Sequence, residues 1–378
     1  MPMTGKERML TAMRGGQADS VPVAPDISNM IPCRLTGKPF WDIYLYQDPP
    51  LFEAYVDAVK YFGFDGWQPA APAEFDFEIA ERDGQPEWVE AIVRRTADRI
   101  YTRRHARVDG QEQWADTCTV YPIDNPPTER VAPAKVGLEG TPTEWEDVIP
   151  RKQYRGLEGY EKACELMGER GVTGISVWLP GLDYRIEAIT DFFYHPEQTK
   201  EACERLHQAM VRRTEAILKV RPDFLMIGIS GFMIYNPEPI FRQLSLRTLK
   251  AVTALCKAAD IPSQIHCCGP SYSLVKISAE ESDLSSINPL EIPPMGDCNL
   301  AQVKREFGRK LSLMGNLNTT NVMLRGSVQD VERAAKQAID EAGAGGGFIL
   351  STGDQCGRDT PDANLFKMIE VARTYGKY

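Results

Sequence analysis

Short apolar runs rich in β-forming residues recur along the chain and alternate with helix-like stretches, the rhythm of repeated βα units. Eight such runs stand out, at residues 21–24, 64–68, 173–179, 224–229, 262–267, 284–287, 310–315 and 347–351. Long helical segments follow most of them, such as those at 196–220, 239–259, 329–342 and 364–375. Helix-start signals agree. Thr4 stands three residues before Glu7, and Ser327 opens Ser327-Val328-Gln329-Asp330; both are N-cap patterns. The run Gly343-Ala344-Gly345-Gly346-Gly347 lacks any phosphate-loop frame and reads as a helix stop with a tight turn before the last strand. Eight strands with crossover helices predict an α/β fold, a (β/α)8 TIM barrel.

One segment breaks the rhythm. From about residue 69 to 158 the pattern becomes proline-rich and hairpin-like, and Asp109-Gly110 between alternating residues predicts a tight hairpin turn. The expected organisation is one barrel domain over 1–378 with this segment inserted after the second strand. That position lets it leave from the barrel's C-terminal face, as a lid, a docking surface or plain decoration.

Composition narrows the partners. A hydrophobic fraction of 43% in 378 residues is ample for a packed core. A net charge of −10 argues against nucleic acid or anionic membrane as the main partner. No run approaches the ~20 apolar residues of a membrane span, and the first residues lack the apolar run of a signal peptide. Nine cysteines at scattered spacings do not form a disulfide framework. A reducing cytoplasm fits, and it keeps thiols available for a metal.

The chemistry gathers at the strand ends. His266 and Cys268, in Ile265-His266-Cys267-Cys268-Gly269, close the fifth strand run, and Cys356 lies just beyond the eighth. One imidazole and two thiols form a zinc ligand set, and three ligands leave a fourth tetrahedral position for a substrate atom. Alternation along a strand turns His266 and Cys268 to one side and Cys267 to the other. Active sites of such barrels lie at the C-terminal strand ends, where all three ligands fall. Glu291, Asn316 and Asp354 follow the sixth, seventh and eighth strands and are the candidate catalytic residues. Trp178, Tyr235 and Asn236, at the end of the third strand and after the fourth, are the candidate substrate-binding residues.

Several of these segments resemble one family. The run 265–269, the run 307–316, the run 347–354 with Thr360-Pro361, the run 237–242 and the opening Lys6-Glu7-Arg8 with 21–23 are similar to the uroporphyrinogen decarboxylase superfamily. The resemblance covers roughly residues 4–68 and 157–376 and implies a (β/α)8 barrel. The decarboxylases of that superfamily are metal-free and hold a tetrapyrrole through paired arginines after the first strand. Residues 23–34 here contain only Arg34, and the histidine that the decarboxylases carry after the last strand is replaced by Asp354. A second branch consists of zinc-dependent methyltransferases that work with corrinoid proteins, and its H-x-C…C ligand pattern matches His266, Cys268 and Cys356.

The resemblance therefore implies Zn2+ and a cobamide. With four histidines and no D-x-H-x-x-G stretch in the chain, the cobamide is expected to arrive on a separate corrinoid protein. The favoured expectation is transfer of a methyl group from a methoxylated aromatic to the cobalt of that protein, because Trp88 and Trp114 of the insertion are candidates to shape an aromatic pocket. The alternative is a methylcobamide:thiol methyltransferase. A further alternative is a decarboxylase-like lyase or a non-catalytic binding barrel. The chain sets no oligomeric state and admits a homodimer.

Overall fold

In the computed structural model, which describes residues 2–378, the strand runs after the first form one parallel sheet, and the first run closes it. The first strand of that sheet is β1 (Gly66–Gln68). The next five belong to a separate antiparallel sheet: β2 (Val89–Arg95), β3 (Arg99–Val108), β4 (Gln111–Pro122), β5 (Thr128–Val131) and β6 (Glu146–Asp147). The parallel sheet resumes with β7 (Gly171–Val177), β8 (Phe224–Gly228) and β9 (Ser263–His266). It ends with β10 (Ser286–Asn288), β11 (Ser312–Leu317) and β12 (Phe348–Thr352). Its order is β1-β7-β8-β9-β10-β11-β12, so each strand lies beside the one before it in the βα series.

Residues 22–24 bridge the two open edges. Ala24 N–H donates to the Leu350 carbonyl at 2.9 Å and Leu350 N–H to the Pro22 carbonyl at 2.8 Å, while Asp65 N–H donates to the Val23 carbonyl at 2.9 Å. The result is the (β/α)8 barrel read from the sequence. Asp65, 1% exposed, fastens the closure: its carboxylate accepts from Val23 N–H at 2.9 Å, Arg8 Nη1 at 2.7 Å and Arg373 Nη2 at 2.8 Å. Two arginines and a backbone amide offset the cost of burying that charge.

The helix Gly5–Met13 plugs one end of the barrel. Thr4 and Glu7 form its capping box as expected, and Met9, Ala12 and Met13 are buried on one face. They pack among Ala24, Trp67, Val172, Phe224, Met226, Met314 and Ile349. Above that apolar plug lies a polar layer. Trp67 Nε1 donates to Gln264 Oε1 at 2.8 Å, and Gln264 Nε2 donates to Ser286 Oγ at 3.0 Å. Gln264 therefore faces the barrel interior, which fixes the facing of every second residue along β9, His266 included.

One expected helix is broken. The run 239–259 forms two helices, Glu238–Leu244 and Leu246–Ala258. The break falls at Ser245, which is fully buried and donates its hydroxyl to the Pro180 carbonyl at 2.7 Å. A tertiary hydrogen bond to the loop after β7 thus replaces helix continuity, which local pattern could not reveal.

The chain divides into two units: Met1–Asp26 with Val59–Ala71 and Lys162–Tyr378, which hold the barrel, and Ile27–Ala58 with Pro72–Glu161. The second unit is larger than the hairpin segment seen in the sequence, since it takes in Ile27–Ala58 as well. Its sheet has the order β5-β4-β3-β2-β6. Asp109 and Gly110, at φ 51° and 80°, make the tight turn between β3 and β4. Leu45, Ile92, Ile100 and Tyr121 form its core with Trp41, Tyr44, Tyr46 and Val148 around them.

Trp114, expected to shape a substrate pocket, packs within this unit. Its ring stacks on His105 at 4.8 Å and meets Trp145 edge-on at 5.2 Å. His105 sits between two carboxylates, with Nδ1 2.9 Å from Glu112 Oε2 and Nε2 2.8 Å from Asp147 Oδ1. Burial alone would lower the pKa of this imidazole, but the hydrogen bonds and charges of Glu112 and Asp147 outweigh it, so the pKa is raised. A raised folded-state pKa stabilises the fold fully below the ordinary histidine value near 6.5, and the benefit is lost as pH climbs through the raised value. Between roughly pH 6 and 9 the wild-type melting temperature is therefore expected to fall more steeply than that of His105→Gln. Parallel curves for the two proteins would contradict this account of the charged imidazole.

Candidate metal centre

Strand β9 ends at His266, but its ladder continues one residue further, since Cys267 N–H donates to the Asn288 carbonyl at 2.9 Å. Alternation persists through Cys268 as a result. Cys267 turns away and is fully buried, with Phe232 and Met233 beside its sulfur, and burial first of all pushes its thiol up to about 12. Cys268 turns to the same side as His266, and its Sγ lies 3.7 Å from His266 Nε2. Asp354 Oδ1, from the loop after β12, lies 3.9 Å from the same nitrogen. The three atoms, each of a kind able to ligate a metal, all fall within 4.8 Å of one another.

Those separations suit a small cation, because ligand atoms around a tetrahedral zinc with the usual bond lengths stand about 3.5 Å apart. A second observation points the same way. His266 Nδ1 is buried and has no hydrogen-bond partner among the described residues, while Nε2 faces the thiol and the carboxylate. Burial chiefly, with the charges of Asp354 and Glu291 adding to it, pushes the Cys268 thiol up to about 11, against hydrogen bonds from Ser230 and Gly231. A coordinated cation reverses that preference, since a ligating thiol is deprotonated.

Cys356 stands outside this cluster. It is fully buried two residues beyond Asp354, and its N–H donates to the Asp26 carbonyl at 2.8 Å. Burial first, then the Asp26 charge, pushes its thiol up to about 12, while Thr352 and Thr360 hydrogen-bond it. The loop 353–357 thus carries both the carboxylate that has joined the cluster and the thiol that the sequence pattern selected.

Glu291 closes the site from the loop after β10. It is 7% exposed, and its Oε2 accepts from Gly269 N–H at 2.5 Å, directly behind Cys268. Burial dominates in raising its carboxyl pKa, with Asp354 adding to the rise, while the Gly269 hydrogen bond and His266 oppose it. Asn316, at the end of β11, donates Nδ2 to the Leu290 carbonyl at 3.0 Å and so steadies the residue before Glu291. Of the residues read as substrate-binding, Trp178 stands just past β7 with nearly half its surface exposed. Tyr235 is half-buried, 6.5 Å from the exposed ring of Tyr184. Asn236 is fully buried and its amide is used within the protein. It accepts from Leu182 N–H at 2.8 Å and donates to the Leu182 and Phe232 carbonyls, which holds the loop after β7.

Asn288 is a residue at the site that the sequence reading did not single out. It ends β10, is 1% exposed, and neither atom of its amide has a partner among the described residues. An asparagine at a barrel strand end, one strand from a histidine at the same level, was the available signal.

The chain belongs to the uroporphyrinogen decarboxylase (URO-D) family, whose profile matches residues 185–375. The methylcobamide:CoM methyltransferase MtbA of Methanosarcina mazei is 30% identical to it over 135 residues, and the MtbA of Methanosarcina acetivorans is 27% identical over 135 residues. Each match spans 36% of this chain and 37% of the relative. A solved methyltransferase from Methanosarcina mazei matches 99% of both chains with a TM-score of 0.64 at 15% identity, a likeness of fold. The family expected from the motifs is the family found. No helix among the described residues is long and apolar enough to cross a membrane.

Proposed function

We propose that the chain is a zinc-dependent methyltransferase that moves a methyl group between a cobamide, carried by a separate corrinoid protein, and a small thiol. The observation that carries this reading is the meeting of His266 Nε2, Cys268 Sγ and Asp354 Oδ1 at the C-terminal mouth of a URO-D-family barrel. His266 and Cys268 hold the zinc, and the loop 353–357 supplies the third ligand. Cys356 is the chemically preferred donor there, since soft thiolates suit zinc, with Asp354 as its competitor. A zinc held there would supply Lewis acidity, which lowers the pKa of a thiol that binds it. Glu291 is the group suited to receive the released proton. Its carboxyl is buried beside Cys268, and Gly269 N–H orients one of its two oxygens. Asn316 steadies that carboxylate through Leu290.

The thiol reading comes first because the matched relatives are named as methyltransferases to coenzyme M. A second reading, demethylation of a methoxylated aromatic onto a cob(I)amide protein, draws support from the aromatic groups after β7 and β8. Trp178, Tyr184 and Tyr235 offer ring faces to such a donor. The test is a pair of assays on the zinc-loaded protein. Methylcobalamin with a panel of small thiols is expected to lose its methyl-cobalt absorbance. Turnover only in the reverse arrangement, cob(I)alamin with methoxylated aromatics, would establish the second reading. Neither reaction, with or without a corrinoid protein, would end both.

A further inference from the structure

A buried amide without a partner is costly, because it gives up its hydrogen bonds to water and gains none in return. Asn288 leaves both its amide oxygen and its amide nitrogen in that condition at 1% exposure. Its place in the sheet says what it is there to meet. In the parallel pairing of β9 with β10, Ser286 is the register partner of Gln264 and Asn288 of His266. Gln264 faces the barrel interior, so His266 and Asn288 face it too, one layer higher. In the lower layer the two strands are joined by a side-chain hydrogen bond from Gln264 to Ser286. The upper layer holds the matching pair without the bond: His266 Nδ1 is also buried and unpartnered among the described residues. On the other side of β9 the register partner of His266 is Gly228, which has no side chain to offer.

We propose that Asn288 is the positioning residue of the metal centre: its Oδ1 accepts a hydrogen bond from His266 Nδ1–H, directly or through one water. That bond fixes the tautomer in which Nε2 presents its lone pair toward Cys268 and Asp354. Adjacent strands stand about 4.8 Å apart, a gap that the side chains of register partners span one layer lower, where Gln264 bonds Ser286. An imidazole ligand whose second nitrogen is held binds metal more tightly, and loss of such a partner costs about 10–100-fold in affinity. The inference rests on the zinc reading above, and its test separates the two.

Zinc affinity is measured by chelator competition for wild type, Asn288→Ala and Asn288→Asp, with melting of the metal-free proteins as the folding control. Asn288→Ala is expected to bind zinc 10–100-fold more weakly, and Asn288→Asp, which keeps the acceptor, to recover most of the loss. Equal affinity of wild type and Asn288→Ala, or no recovery in Asn288→Asp, would overturn the proposal. Absence of zinc binding by wild type would instead count against the zinc reading. The tautomer is then read independently from the ring nitrogen shifts of His266 in metal-free protein, assigned by comparison with His266→Gln. Protonation at Nδ1 in wild type that becomes mixed in Asn288→Ala supports the proposal, and protonation at Nε2 in wild type refutes it.

Discussion

Zinc is expected to leave the protein when either His266 or Cys268 is changed. His266→Ala and Cys268→Ser should each weaken binding about a thousand-fold or more, roughly 4 kcal/mol, because a three-ligand site loses a third of its donors. Methyl transfer should vanish with the metal. The informative control is Cys267→Ser, one residue away. Its sulfur is fully buried on the opposite side of the ladder, so the change should lower stability without touching zinc content. Elemental analysis and melting of the same three proteins separate a ligand from a core residue. Zinc retained in Cys268→Ser, or lost in Cys267→Ser, would contradict the alternation on which the site is built.

The second large effect concerns the loop after β12. Asp354 already lies 3.9 Å from His266 Nε2, whereas Cys356 is buried against Thr352 and Thr360. Geometry alone favours the carboxylate, and ligand softness favours the thiolate. The account gives the third place to Cys356, so Cys356→Ser should cost zinc affinity about a hundred-fold or more, while Asp354→Ala should cost less than ten-fold. Chelator competition ranks the two. The reverse ranking would assign the third place to Asp354, the residue nearer to His266 Nε2.

The barrel was legible because its signal is repetitive. Eight short apolar runs, each buried on both faces in a parallel sheet, stand out without any knowledge of contacts, and the long helix Pro196–Val220 was read to the residue. His266 and Cys268 were legible for a related reason, since period-two alternation at a strand end predicts which side chains meet. What escaped depends on neighbours distant in sequence. The break at Ser245 exists because of the Pro180 carbonyl, and Ile27–Ala58 joins the second unit through packing such as Leu45 against Ile100 and Tyr121. Trp114 looked available for a pocket because sequence cannot show that its ring packs against His105 and Trp145. Asp354 entered the cluster from the loop after β12, and Asn288 came to stand beside His266 through the pairing of β9 with β10, neither of which local pattern encodes.

The central claim is that a zinc ion is held at the mouth of this barrel by His266 and Cys268 with a third ligand from the loop 353–357. X-ray absorption at the zinc edge of the zinc-loaded protein, before and after addition of a small thiol, tests it most directly. The account predicts a four-coordinate first shell containing nitrogen and two sulfurs near 2.3 Å, with a third sulfur appearing when the thiol is added. A shell of oxygen and nitrogen alone, or one that the thiol leaves unchanged, would contradict it.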